Sequence, residues 1–380
     1  MQIAGHTPVD SSSTTPENLS FQQEGAFDVQ LRDDLFLTSE GFDADVLKMA
    51  QTAARSSRGI PVGMAEFRDV HVHLPTGMIV DTVGNACWQG SLLNWNKPVL
   101  QREIIRQFGR QAAGNRLRLS DHLLRDCQTL DSAILIQSAG YSIYGHWLLD
   151  FLPRINRVHD SLYAQHKVLC QPQKEWTRAL FNLFMPDCHF ADGDIVTDFV
   201  QVKRLLVPTM ARTHGALEEN TVRKAWEKLD GLLNHNVAAP VSGRRLCVSR
   251  QKLKGKKLEK RQIINIPDIE RRAAEAGFEM VYPETLSFAE QRQIFSEAAV
   301  VVGECGSALH NAIFCRPGAR LGVISNGRIN TNHAMIANIC GLRITYMSAS
   351  PIDDTADGPS GYSVDPGEFD AMLGNLFAGR

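Results

Sequence analysis

The sequence predicts an α/β protein of doubly wound, parallel sheets, arranged as two Rossmann-like halves around a cleft. Three observations point there. From Arg244 onward, short apolar runs alternate strictly with helical patterns. Gly277 and Gly341 stand where helix C-caps are expected. At 380 residues the chain exceeds the usual size of one domain.

Residues 1–20 are rich in Ser, Thr and Pro and predict a disordered tail. An N-terminal domain over 21–235 opens with an irregular α+β region. There FRDVHVHLP and GMIVDTVGN read as the strands of a hairpin. Asp131 to Gln137 (DSAILIQ) is a buried strand, followed by a glycine-containing loop and the segment YGHWLLDFLPRINRVHDSL. A strand at Val168 to Cys170, a helix over Lys174 to Phe184 and a strand around Val200 to Val207 continue the alternation. A hinge is expected near Leu232 to Ser242.

The second domain, 236–347, has strands at Leu246 to Ser249, Glu279 to Tyr282, Val300 to Val302, Leu321 to Ile324 and Ile344 to Met347. Helices near Asp268 to Ala276, Ser287 to Ala299, Ala308 to Phe314 and Asn332 to Cys340 lie between them, and 348–380 forms an extension. Ser287 and Glu290 make a capping box. Pro317 and Gly318 stop the third helix.

Composition narrows the function classes. Hydrophobic residues at 43%, charged residues at 22% and a formal net charge of -2 describe an ordinary globular surface without general attraction for nucleic acid. No basic and apolar leader opens the chain, and no apolar stretch is long enough to span a bilayer. Eight cysteines without a Cys-x-x-Cys predict reduced thiols, several buried, in a cytoplasmic protein.

Leu286 to Gly318 is the most telling stretch: helix, apolar strand, glycine turn and helix. Gly303 and Gly306 bracket the turn, and the small Ser307 and Ala308 let a ligand approach the backbone. Such a turn presents helix N-terminal N–H groups to the phosphates of a nucleotide. The same turn also joins strands to helices in proteins that bind nothing there. Glu304, Cys305, His310 and Asn311 surround it. His310 and Asn311 are candidates to contact a base, ribose or sugar, with a core histidine as the alternative.

Two further groups carry chemistry. His146 and Asp150 are four apart in YGHWLLDFLPR and share a helix face, with Arg154 a turn further on; imidazole and carboxylate together suit a general base. Pro153 removes a bond to Leu149 and disfavours helix at Leu152, which leaves the position of Arg154 open. Arg244 to Arg261 is dense in Lys and Arg, with Glu259 its one acid. Arg250, at the end of a strand, and Arg261 are its best-placed phosphate binders, whereas the lysines read as a solvated loop. Asp192-Gly193-Asp194 has the form of a metal motif and is read as a turn.

Together these segments resemble glycosyltransferase family 61. YGHWLLDFLPRI is similar to its His-Trp-x-x-Asp-x-x-Pro-Arg segment, and VSRQ, RQIIN and GFEMVYPETLSFAEQRQIFSEAAVVVGECGSALHNAIFCRPGARLGVI follow in the family's order. The resemblance implies a GT-B-like fold and inverting, metal-independent sugar transfer from a nucleotide-sugar, UDP-sugars being favoured, to a saccharide or lipid-linked saccharide in capsular or exopolysaccharide biosynthesis. It implies no cofactor, no nucleic-acid partner and a cytoplasmic enzyme. Arg250, Arg261, Gly303, Glu304, Gly306, Ser307, Ala308, His310 and Asn311 would bind the donor, and His146 and Asp150 would face the acceptor. Two positions depart from the pattern: Cys305 where histidine is typical, and Ile266 in place of an acid. An inactive nucleotide-sugar binder of the same fold and a polysaccharide pyruvyltransferase are the alternatives.

Overall fold

The computed structural model describes residues 19–38, 40–82, 124–138, 140–158, 165–170, 174–186, 188–190, 198–213, 215–233, 243–252, 263–352 and 361–378. Arg261, Asp192-Gly193-Asp194, most of the expected tail and most of the expected hinge lie outside them. The chain divides into two compact units. One comprises Met1–Asp28, Ser57–His214 and Glu218–Ala225; the other comprises Val29–Ser56, Gly215–Leu217 and Trp226–Arg380.

The first unit is built on strands β1 (Leu19–Ala26), β2 (Pro61–His73), β3 (Met78–Val80), β4 (Gln128–Leu135), β5 (Lys167–Leu169) and β6 (Phe199–Pro208). Their order is β1-β2-β6-β4-β5, with β3 added to β2. The sheet is mixed: the expected hairpin forms between β2 and β3, while the parallel pairing expected of a doubly wound half is confined to β4, β5 and β6. β2 is antiparallel to β1, β3 and β6, while β4 is parallel to β5 and β6. Connection length explains the division, because parallel neighbours need a crossover. Helices supply one between β4 and β5 and another, Glu175–Phe184, between β5 and β6. β2 and β3 are joined by a tight turn at Gly77, φ 70°, and can only run antiparallel. Phe67, Val70, Val72, Ile79, Leu135, Val202 and Leu205 form the core over this sheet.

The second unit fits the alternation closely. β7 (Arg244–Val248), β8 (Glu279–Val281), β9 (Ala298–Glu304), β10 (Arg320–Ser325) and β11 (Arg343–Ser348) are all parallel, in the order β8-β7-β9-β10-β11. This is the doubly wound order in which winding reverses between the first strand, β7, and the third, β9. Helices Ile266–Glu275, Phe288–Ser296, Asn332–Cys340 and Pro366–Phe377 accompany it. The Ser287 and Glu290 capping box forms as expected, and Gly277 and Gly341 adopt φ of 81° and 73° at helix ends. The segment 307–314 is a 3-10 helix rather than the expected α-helix. Residues of 29–56 also belong to this unit: Leu37 N donates to Ile344 O at 2.8 Å. The buried Asp43 accepts from Thr345 Oγ1 at 2.8 Å and Tyr346 N at 2.6 Å.

Candidate functional site

In the first unit the chemistry sits on the helix that follows β4. It runs as an α-turn Tyr144–His146, a π-helical stretch Trp147–Phe151 and a further α-turn Leu152–Ile155. The helix continues through Leu152 and Pro153, which fixes the position of Arg154. Leu152 N–H reaches back five residues to the Trp147 carbonyl, and this wider turn relieves the clash a proline ring makes with a tighter one. The register keeps His146 over Asp150, with Nδ1 2.7 Å from Oδ2.

Asp150 is 1% exposed and clasped by Arg212, whose Nε donates to Oδ1 at 2.7 Å and whose Nη2 donates to Oδ2 at 2.6 Å. Burial by itself would raise the Asp150 carboxyl. The Arg212 charge and the hydrogen bonds from His146 and Arg212 outweigh it and hold the carboxyl well below the usual carboxylate range. A carboxylate only accepts, so the proton between the two side chains is on His146 Nδ1 and the free lone pair is on Nε2. The His146 side chain is 33% exposed. Gly140 makes room for the ring: its φ is 86°, and a Cβ there would stand 2.8 Å from His146 Cγ and Nδ1. The arrangement is an oriented imidazole backed by an anchored carboxylate, a pairing that can serve as a general base.

Arg154 does different work. Fully buried, it donates from Nε to Pro208 O at 2.9 Å, from Nη1 to Ile136 O at 2.8 Å and from Nη2 to Leu135 O at 2.7 Å. It ties the carboxyl ends of β4 and β6 together behind the helix.

In the second unit Arg250 follows the carboxyl end of β7, and the glycine turn follows that of β9. Both therefore lie at the winding reversal, where open α/β sheets bind their ligands. The Arg250 guanidinium lies over Gly306, since a Cβ on that glycine would be 3.3 Å from Nη1. Gly303 is fixed by the sheet, because a Cβ there would meet the Val248 carbonyl at 2.6 Å. Burial raises the Glu304 carboxyl; Arg250 pulls it down and Glu270 pushes it further up. Ser307 and Ala308 open the 3-10 helix, and Leu309 N donates to Gly306 O at 3.1 Å.

His310 and Asn311 are both buried beneath the turn. His310 is 5% exposed with its ring 5.2 Å from that of His333, and Asn311 is 0% exposed. The Asn311 amide donates to Gln291 Oε1 at 2.7 Å, and the Gln291 amide donates to Leu286 O at 3.0 Å. Asn311 thus braces the turn from the core, where His310 also lies.

Residues 144–322 match the model of the family described as Glycosyltransferase 61. The matched region is a member of glycosyltransferase family 61. It opens on Tyr144, the first residue of the helix that carries His146, and closes at Gly322 within β10, after the glycine turn. No curated protein matches the chain.

Two partners were not announced by the sequence, Arg212 inside the family 61 region and His333 beyond it. Arg212 lies just past β6, the position beyond a buried strand that singled out Arg250, and that signal would have found it. His333, at the start of helix Asn332–Cys340, stands beside Cys305: its Nδ1 is 3.9 Å from Sγ, and its Nε2 is 3.2 Å from Gly306 O. Burial pushes this imidazole down to about 4, against the raising pull of its backbone hydrogen bonds with Gly306 and Asn330. It is neutral at pH 7 and supplies no charge to stabilise a thiolate. Cys305 and His333 pack against each other at the turn. Among the described residues no group of three or more His, Cys, Asp or Glu is placed to hold a metal ion, and no helix is long and apolar enough to cross a membrane.

Proposed function

We propose that this protein is an inverting glycosyltransferase that moves a sugar from a nucleotide-sugar, a UDP-sugar by preference, to a saccharide hydroxyl without a metal. The observation that carries this reading is the chain His146–Asp150–Arg212, within a region of family 61. His146 Nε2 takes the proton of the acceptor hydroxyl, and the oxygen attacks the anomeric carbon from the face opposite the nucleotide. The bond from that carbon to the diphosphate oxygen breaks and the diphosphate leaves with the electron pair. Arg250 meets its charge, together with Arg261 on the strength of the resemblance. Asp150 is a positioning residue, because a carboxylate held ionised by Arg212 is a poor proton acceptor.

Gly303, Gly306, Ser307 and Ala308 let the donor approach the backbone, and Glu304 offers acceptor oxygens to its hydroxyls. The GT-B class, a cytoplasmic setting and a role in capsular or exopolysaccharide assembly belong to the same reading. Cys305, in place of the typical family histidine, favours one rival, a binder of nucleotide-sugars without turnover.

A thermal-shift screen with UDP-, GDP- and CMP-sugars and phosphoenolpyruvate, followed by transfer assays with and without chelator, tests the reading. A shift with one nucleotide-sugar and transfer that His146→Ala abolishes are expected. A shift with phosphoenolpyruvate alone would point to pyruvyl transfer, and donor binding without turnover would leave a binder.

A further inference from the structure

The guanidinium of Arg212 is only partly used by its clasp on Asp150. It carries five N–H donors in one plane. Two of them, on Nε and Nη2, go to the carboxylate. Both on Nη1 and the second on Nη2 remain, and the planar fork turns this end away from Asp150. Among the described residues none of these has an acceptor. The contact of Nη2 with His146 Nδ1, at 3.3 Å, is not such a bond, because Nδ1 carries the proton it donates to Asp150.

That contact fixes where the open end lies. It abuts the imidazole, and the base nitrogen Nε2 stands just across the same ring. Both side chains reach the surface, Arg212 at 26% and His146 at 33% exposed, above an Asp150 at 1%. The backbone around Arg212 is held as well: Thr209 N donates to Gly63 O at 2.9 Å, and Glu218 N donates to Ala211 O at 2.8 Å. A guanidinium end fixed in place with its donors open is a two-pronged seat for an oxyanion.

We propose that the open end of Arg212 binds a carboxylate of the acceptor, which makes the acceptor an acidic sugar whose reacting hydroxyl neighbours that carboxylate. The inference rests on the glycosyl-transfer reading above, which supplies the acceptor. Charge gives the reason. At rest Asp150 balances Arg212. Once His146 takes the hydroxyl proton, the imidazolium leaves the group with an uncompensated positive charge, which a bound carboxylate balances and a neutral sugar does not. A hexuronic acid has the connectivity this needs, since its C4 hydroxyl stands beside the carbon that bears the carboxyl group. Arg212 is then a specificity residue as well as the anchor of Asp150.

Calorimetric titration of the full chain with methyl β-glucuronide and methyl β-galacturonide, and with the methyl ester of each as a neutral control, tests this. At least one acid should bind about tenfold more tightly than its ester, as for a charge-assisted pair that is partly exposed. Arg212→Lys keeps a cation against Asp150 but loses the fork, and should erase most of that preference while ester binding stays as it was. A purely structural role would weaken acid and ester alike. The comparison of acid with ester in the wild-type protein needs no variant, so it decides the matter if Arg212→Lys fails to fold. UDP affinity should be unchanged in Arg212→Lys. No binding of either acid, equal binding of acid and ester, or a preference that survives Arg212→Lys overturns the inference. So does a loss of UDP affinity in place of uronide affinity, which would give the open end to the donor's diphosphate. If the acid preference depends on Arg212 but no nucleotide-sugar binds, the transferase reading falls and the acid site stands. Transfer to neutral acceptors without any acid preference does the reverse.

Discussion

Arg212 grips both carboxylate oxygens of Asp150, at 2.7 and 2.6 Å, and leaves the carboxylate only one further task, holding the His146 imidazole. Removing Arg212 leaves the buried Asp150 carboxylate without its cation, so Arg212→Met should cost about 3–5 kcal/mol of stability, whereas Asp150→Ala leaves a partly exposed guanidinium and should cost less, both read by denaturant unfolding.

Asp150→Asn separates orientation from folding more gently. Its amide can donate to His146 Nδ1, which favours the tautomer with the proton on Nε2 and removes the lone pair needed for chemistry. Transfer should fall by about 10²–10⁴-fold, as for loss of a general base, with donor affinity unchanged in a binding titration. Turnover near wild type would move the base elsewhere.

Gly140 and His146 share one space. Gly140→Ala puts a methyl group where the ring lies and forces an L side chain into φ 86°. A loss of activity of at least about tenfold is expected if the ring shifts by an ångström, with a stability cost of about 1–3 kcal/mol. Steady-state kinetics beside a thermal melt distinguishes the two effects.

Two glycines of the second unit should respond differently to the same change. A Cβ on Gly303 meets the Val248 carbonyl, which cannot move without its strand, so Gly303→Ala should destabilise by about 1–3 kcal/mol. A Cβ on Gly306 meets only the end of the Arg250 side chain, so Gly306→Ala should fold within about 0.5 kcal/mol of wild type. It should instead weaken nucleotide-sugar affinity by displacing the guanidinium, seen by calorimetric titration.

His333 sets an acid limit on the second unit. Its folded value of about 4 lies below the ordinary 6.5, so the unfolded chain takes up a proton that the folded one refuses. The stability from keeping it neutral is complete above pH 6.5 and is lost as pH falls toward 4, to a total of roughly 3 kcal/mol. His73 in the first unit, pushed down to about 4 by burial, behaves alike. Melting temperature followed from pH 7 to 4 should fall across that window, and His333→Gln should flatten the part due to the second unit.

The sequence by itself determined the second unit almost element for element. Parallel strands buried on both faces are short, wholly apolar runs, and helices between them carry their own caps, as Ser287, Glu290, Gly277 and Gly341 do. These are local signals, and local physics was enough. It also placed His146 over Asp150, since spacing along one helix is a local property, and it marked Arg250 and the glycine turn.

What only the tertiary structure decided depends on contacts between residues far apart in the chain. Spacing could not join Arg212 to a carboxylate 62 residues earlier. It could not bring His333 to Cys305, 28 residues away, or turn Asn311 inward onto Gln291. The antiparallel half of the first sheet likewise depends on which strands pair. Hydrophobic periodicity reports which face of an element is buried, and partners are chosen by the packing that buries it.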